Sequence, residues 1–427
     1  MGGRTALTGD PGSSGNGDES GDDAVALLAL RLLPGVGDLI AGRLLLAASS
    51  REEALEWVRK GRGGAPRAAR EALLGDRPRV VREAERLARR AGANGIRIVG
   101  IDEPGYPTRL LHLHDPPAIL FLRGRLELLG RPSVAIVGSR RSTPTGRRVA
   151  ERMAQELSEE GWTVVSGLAV GIDAAAHRGA VGGAGGTVAV LGRGPDRAYP
   201  LVHADLFHRV AREGLLVSEF PPGVPAQPHN FPRRNRVLAA LSSAVIVVEA
   251  EERSGALITV DHANDLGIDV MAVPGSVESP STRGTNRLLA EGAFLVTSAA
   301  DVLQLLQGLP GDDRPSAGLS TTSGGPPSGP APRAVRPSPG GANVPDVPLL
   351  PGIDVDRNPL WADEQNRILG ILSLVPLPLD LLLERSGLPP SRVLSALTRL
   401  DLAGKARRDP EGWIVLSEAA PGGGGSG

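Results

Sequence analysis

Between Ser133 and Ala293 short apolar runs recur, each closed by a turn rich in glycine, serine or arginine. Val134-Ala135-Ile136-Val137 is the first, and an unbroken run of this kind suits a parallel strand covered on both faces. Thr145 is placed to cap a helix running through Arg152 to Leu157, and Trp162-Thr163-Val164-Val165 then reads as the next strand. Two strands around one helix make a βαβ unit. The pattern continues with strands predicted from Thr187 to Leu191, Gly214 to Val217, Ala244 to Val248 and Asp269 to Val273, each after a helix-length segment. The fold class that follows is α/β, a doubly wound and mostly parallel sheet.

The ends of these strands carry the functional content. In order they read Gly138-Ser139-Arg140, Ser166-Gly167, Gly192-Arg193-Gly194, Ser218-Glu219, Glu249 with Ser254-Gly255 beyond it, and Pro274-Gly275. In an open α/β sheet, ligands bind at the carboxyl ends of the strands, where loops feed helix N-termini whose free N–H groups attract anions. Arg140, Arg193, Arg233, Arg234 and Arg236 add positive charge to the same rim, and arginine suits forked contacts to phosphate. A phosphate-bearing ligand longer than one nucleotide is expected.

Composition narrows the alternatives. The chain has 427 residues, 41% of them hydrophobic, enough for a sizeable core and two or three domains. It has no cysteine and only 7 histidines, so it offers no disulfide framework and no thiolate metal site, and neither a metal nor a cofactor is expected. No apolar run approaches a membrane span and no signal-like region opens the chain, which makes a cytoplasmic location the expectation. A formal net charge of -1 supplies no global attraction for nucleic acid, so binding has to rely on a local basic patch. Lys60 and Lys405 are the only lysines, which reads as coding bias.

The chain divides by composition. Residues 1–22 are Gly, Ser and Asp-rich and read as a disordered tail. A helical pattern runs over 23–94, broken at Pro34-Gly35-Val36-Gly37. That hairpin is either a tight turn or a helix-hairpin-helix element presenting backbone N–H groups to a DNA phosphate. Residues 95–307 hold the α/β domain, with Ile96 to Val99 and Ala118 to Leu122 as strands leading into it. A Pro, Gly and Ser-rich linker covers 308–360 and a Gly-rich tail covers 418–427. Between them, 361–417 reads as three helices and a two-stranded wing ending at Trp413-Ile414-Val415, a winged helix-turn-helix. Its third helix carries Arg392 and Arg399, which leaves DNA reading and protein docking both open.

Two segments concentrate chemistry. In Ser166-Gly167-Leu168-Ala169-Val170-Gly171-Ile172-Asp173, Asp173 is expected to cap the following helix, with His177 one turn on either contacting the ligand or packing on the next strand. After the proline-rich stretch from Pro221, Phe231-Pro232-Arg233-Arg234-Asn235-Arg236 leads into a helix. Three arginines at a helix start oppose the macrodipole, a local cost that points to a bound polyanion. Phe231 either stacks on a base, as in single-strand binders, or anchors the loop. There is no P-loop, Gly192-Arg193-Gly194-Pro195-Asp196-Arg197 departs from the dinucleotide fingerprint at its third glycine, and no nucleophile triad or acid–base pair stands out. Glu219 and Glu249 sit at strand ends, where receiving hydrogen bonds is the more economical role.

Taken jointly, Gly138-Ser139-Arg140, Ser166-Gly167-Leu168-Ala169, Gly171-Ile172-Asp173 with His177, Tyr199-Pro200, Ser218-Glu219, Phe231-Pro232 with Arg234-Asn235-Arg236, Ser254-Gly255-Ala256-Leu257-Ile258-Thr259, Pro274-Gly275 and Glu291-Gly292-Ala293 resemble the DprA (Smf) family of DNA-processing proteins. The resemblance implies an extended Rossmann-like domain between an N-terminal SAM-like helical domain and the winged helix. It also implies a protein that is no enzyme, binds single-stranded DNA, forms a homodimer and loads the RecA recombinase during natural transformation, with single-strand-binding protein as a further partner. Carried over by motif, Arg140 with Arg234 or Arg236 would grip the backbone, and Gly138, Ser139, Ser166, Gly167, Ser254 and Gly255 would line a phosphate pocket. Phe231, Arg233 and Asn235 complete the expected site. Val170 and His203 depart from the pattern and remove one contact from the rim. The alternative is a nucleoside-monophosphate phosphoribohydrolase with Glu249 as acid. The Pro-Gly-Gly-x-Gly-Thr loop of such enzymes is replaced here by Pro274-Gly275-Ser276-Val277.

Overall fold

A computed structural model describes residues 19–307, 366–372, 377–388, 390–402, 405–409 and 412–415. The expected linker and both Gly-rich tails therefore lie outside the described residues, apart from 19–22. Helix α1 (Glu19–Leu32) begins ahead of the expected start at Asp23, and α2 (Asp38–Ala47), α3 (Arg51–Arg59) and α4 (Arg67–Ala93) complete the helical domain. The hairpin between α1 and α2 turns through Gly35 at φ 77°, with Val36 buried and its carbonyl held by Arg31 at 3.2 Å.

The sheet strands are β1 (Arg97–Gly100), β2 (Ile119–Gly124), β3 (Ser133–Val137), β4 (Thr163–Ser166), β5 (Thr187–Leu191), β6 (Leu215–Ser218), β7 (Ala244–Val247), β8 (Asp269–Ala272) and β9 (Phe294–Leu295). They lie in the order β1-β2-β6-β5-β4-β3-β7-β8-β9, parallel from β6 to β9 and antiparallel at β1 and β2. The crossover helices are α5 (Pro144–Glu159), α6 (Ile172–Ala180), α7 (Ala204–Glu213), α8 (Asn230–Ala240), α9 (Ala256–Asp265) and α10 (Arg283–Ala290), with α11 (Ala299–Gln307) following β9. The expected mostly parallel, doubly wound sheet is what forms.

Alternation along each central strand explains why both faces need cover. In β3, Val134 and Ile136 join one core cluster with Ala150, Met153 and Leu157 of α5, whereas Ala135 and Val137 join another that includes the helical domain. The helical domain thus shares a core with one face of the sheet. Arg51 fastens it there: its buried guanidinium pairs with Asp23 at 2.8 Å, Asp102 at 2.9 Å and Glu103 at 2.6 Å.

On the other face α5 and α6 approach closely at Gly179, where a Cβ would lie 2.0 Å from the Glu151 carbonyl oxygen. Gly179→Ala is expected to force the helices apart and cost about 1–3 kcal/mol, read as a lower midpoint in urea unfolding. Helix α5 is capped by Thr143, whose hydroxyl accepts from Gly146 N–H at 3.0 Å. The expected cap Thr145 lies two residues too late, because Pro144 already occupies the first helical position, where its missing N–H costs nothing.

The winged-helix region has α12 at residues 366–371, α13 (Leu379–Ser386), α14 (Pro390–Leu402) and an antiparallel pair β10 (Ala406–Asp409) and β11 (Gly412–Val415). Three helices and a two-stranded wing are thus in place. Their core is made by Ile368, Leu382, Val393, Leu397 and Ala406.

Candidate nucleic-acid interface

The chain passes from β3 through β4 and β5 to β6 on one side, then returns to pair β7 against the opposite edge of β3. Outgoing loops therefore part between β3 and β7, and that is where an open α/β sheet holds its ligand. A cleft of about 530 Å³ occupies this position. Its walls are the loop after β3, from Val137 to Arg141, and the segment from Glu251 to Thr259 that enters α9.

Helix α8 lies across the opening. Phe231, Arg234, Asn235 and Leu238 line the cleft, spaced as one helical face, while Arg233 and Arg236 fall on another. Helical periodicity therefore sends the three arginines to two different places. The spacing 231, 234, 235 and 238 is the sequence signal that separates them.

Arg234 is the floor of the cleft and is 4% exposed. Its Nη1 donates to the Gly167 carbonyl at 2.7 Å and also to the Val190 carbonyl, and its Nε donates to Asn235 Oδ1 at 3.1 Å. Burial pulls its pKa down to about 10 against the opposing pull of Asp173, leaving it charged at neutral pH. Asp173 is itself pushed up by burial, with Arg234 the main influence holding it down. The residue expected to grip DNA thus lies in the cleft floor with its guanidinium tying the ends of β4 and β5 together from beneath.

Arg236 is buried and Arg233 exposed, and both pair with carboxylates of the protein. Arg236 pairs with Glu219 at 2.6 Å and donates to the Asp115 carbonyl at 2.8 Å; Arg233 reaches Glu219 at 3.2 Å and pairs with Asp38 at the start of α2. Neither lines the cleft, and the charges expected to meet a polyanion are paired with Glu219, Asp38 and Asp115. Burial raises the Glu219 carboxyl despite both arginines.

Of the remaining expected residues, Gly138, Ser139, Arg140, Asn235, Ser254 and Gly255 do line the cleft. Ser166 does not: fully buried, it donates to the Ile136 carbonyl at 2.6 Å and bolts β4 to β3. Gly167 sits over the Arg234 guanidinium, which a Cβ there would meet at 2.3 Å. Asp173 is not the cap of α6; Gly171 is, at φ 91°, and Asp173 instead accepts from Ala169 N–H at 3.4 Å. Glu249 accepts from Thr143 N–H at 2.8 Å and from its hydroxyl at 2.5 Å, the hydrogen-bonding role expected of a strand-end carboxylate.

His177 is fully buried and packs on the next strand. Its Nδ1 lies 2.7 Å from the Thr187 hydroxyl, which donates onward to the Val164 carbonyl and so can only accept from the ring. Nδ1 therefore carries the proton, and Nε2 accepts from Leu168 N–H at 3.2 Å. Leu168, at φ 53°, is held in the left-handed region by this bond. Burial and the nearby Arg234 depress the imidazole to about 3.

The exposed chemistry at the mouth is different in kind. The Arg140 guanidinium lies over the Phe231 ring, 5.1 Å from its centroid, and Arg141 and Arg253 are exposed beside it. Arg141 and Arg253 escaped sequence reasoning because they lie outside the strand-end motifs. No group of metal-ligating side chains gathers among the described residues, and no described helix is long and apolar enough to cross a membrane.

Comparison with known proteins bears on the same region. The family model described as DNA recombination-mediator protein A matches residues 97–307, and the model of the DprA winged helix domain matches 356–412. Protein Smf of Synechocystis is 43% identical over 213 residues, spanning 49% of this chain and 54% of that protein. DNA processing protein DprA of Streptococcus pneumoniae is 44% identical over 198 residues, 46% of this chain and 70% of its length. The X-ray structure of the S. pneumoniae protein superposes with a TM-score of 0.53 at 33% identity, covering 66% of this chain and 95% of that one.

Proposed function

The chain belongs to the DNA recombination-mediator protein A family, and from that membership we propose that its cleft holds single-stranded DNA, shielding the strand and passing it to the RecA recombinase. The observation that carries this reading is the Arg140–Phe231 pair at the mouth of the switch-point cleft. An aromatic ring offers a stacking face to any base, and adjacent guanidinium groups track the phosphates, which is the pattern of sequence-tolerant single-strand binding. Arg140, Arg141 and Arg253 supply the exposed charge that Arg234 and Arg236 do not. On this reading the protein is a binder and not an enzyme, in keeping with Glu249, the acid of the phosphoribohydrolase alternative, accepting two hydrogen bonds from Thr143. A homodimer working in the cytoplasm, with single-strand-binding protein as a neighbour on the same DNA, completes the proposal.

Equilibrium binding to oligo-dT and to duplex DNA across a salt series tests it. Wild type is expected to prefer the single strand. Changing Arg140, Arg141 and Arg253 together to glutamine should flatten the plot of log affinity against log salt by about 2, at about 0.7 per lost phosphate contact. Failure of the wild type to bind single strands at low salt would sink the reading.

A further inference from the structure

The aromatic surface at the cleft does not stop at Phe231. Tyr199, from the loop after β5, stands beside it with ring centroids 5.9 Å apart and planes inclined at 32°. The Arg193 guanidinium lies over the Tyr199 ring at 6.0 Å, mirroring Arg140 over Phe231. Three separate segments thus build one row: cation, ring, ring, cation.

Tyr199 is not a packing residue. A buried tyrosine covers its ring and satisfies its hydroxyl, as Tyr106 does here at 5% exposure with a 2.7 Å bond to the Pro117 carbonyl. Tyr199 is 44% exposed and lines the cleft. Arg193 behind it is half-buried, and its Nε has no hydrogen-bond partner. That Nε is enclosed by protein, so what Arg193 offers at the cleft is its positive charge over the Tyr199 ring.

Resting on the single-strand reading above, we propose that Tyr199, with the Arg193 charge over its ring, is a second base-stacking station, so that the cleft seats two neighbouring nucleotides of one strand. The spacing of the two rings gives this pair a selective role. In B-form DNA successive nucleotides of one strand rise about 3.4 Å. Bases seated on rings 5.9 Å apart cannot remain stacked on each other. The row therefore accepts a strand whose bases have been pulled apart and refuses a duplex step, and it does so without reading sequence, since every base has a π-face.

The test uses the full chain and oligo-dT containing two adjacent 2-aminopurines, whose fluorescence is quenched while they stack on each other. Wild type should bind and brighten the probe. Tyr199→Leu should weaken binding roughly 5- to 150-fold, the equivalent of about 1–3 kcal/mol for one lost stack, and abolish the brightening. Tyr199→Phe should recover most of the loss, because the ring face and not the hydroxyl makes the contact. If Phe231→Leu weakens binding while Tyr199→Leu does not, or if Tyr199→Phe fails to recover it, the second station is overturned and the single-strand reading stands. Absence of binding by the wild type would instead remove the reading on which the station depends.

Discussion

Arg234→Ala is expected to lower stability by about 1–3 kcal/mol, the range for leaving a buried acceptor without its donor. The loss has three sources: the Gly167 and Val190 carbonyls lose their donor, Asp173 loses a nearby positive charge that opposes the effect of its burial, and Asn235 loses a bond on α8. Against a total stability of roughly 5–15 kcal/mol such a change removes a measurable fraction of the whole. Lysine would restore it only in part, since one ammonium at the Nη1 position could serve the two carbonyls but would leave Asn235 Oδ1 without the donor that Nε supplies. Urea unfolding followed by circular dichroism checks this. An unchanged midpoint accompanied by lost DNA binding would return Arg234 to the role of a direct DNA contact.

The second large effect is on acid stability. His177 has a folded-state pKa of about 3 against an ordinary value of 6.5, so between those limits the unfolded chain binds the proton that the folded chain refuses. Stability contributed by the neutral imidazole is complete above pH 6.5 and is lost progressively as pH falls towards 3. The full difference amounts to about 5 kcal/mol at about 1.4 kcal/mol per pKa unit. Glutamine can offer a donor towards Thr187 and an acceptor towards Leu168 without titrating. His177→Gln is therefore expected to flatten the pH dependence of the urea midpoint between pH 6.5 and 4, and equal slopes in the two proteins would refute the assignment.

Much of the sheet was legible because its strands are short, apolar and fully enclosed, and a run such as Val134 to Val137 has few other stable uses. The order of the strands was not. Whether β7 pairs beside β6 or beside β3 depends on contacts more than 100 residues apart, such as Val134 opposite Ala244. The position of the cleft follows from that choice, so the motifs could name strand ends without saying which two of them part. Arginine roles were legible only by type. Arg140 and Arg234 have the same chemistry, yet one lies over an exposed ring and the other beneath two carbonyls, because one belongs to a loop and the other to the inner face of a helix. Tyr199 was visible in the sequence, but its partner Phe231 comes from a different crossover, and no local pattern joins them.

The bond between Asp38 and Arg233 gives the N-terminal helices a part in the chemistry of the cleft. Asp38 also accepts from Arg31 at 3.2 Å and from Ala118 N–H at 3.3 Å, so its carboxylate is pinned where α2 meets α8. From there it offsets the charge of an arginine two residues from Phe231. The helical domain is thus a fixed counterion built into the polypeptide. A chain trimmed back to its α/β domain would present a more positive rim than the whole protein does, and affinities measured on such a fragment would describe a different electrostatic object.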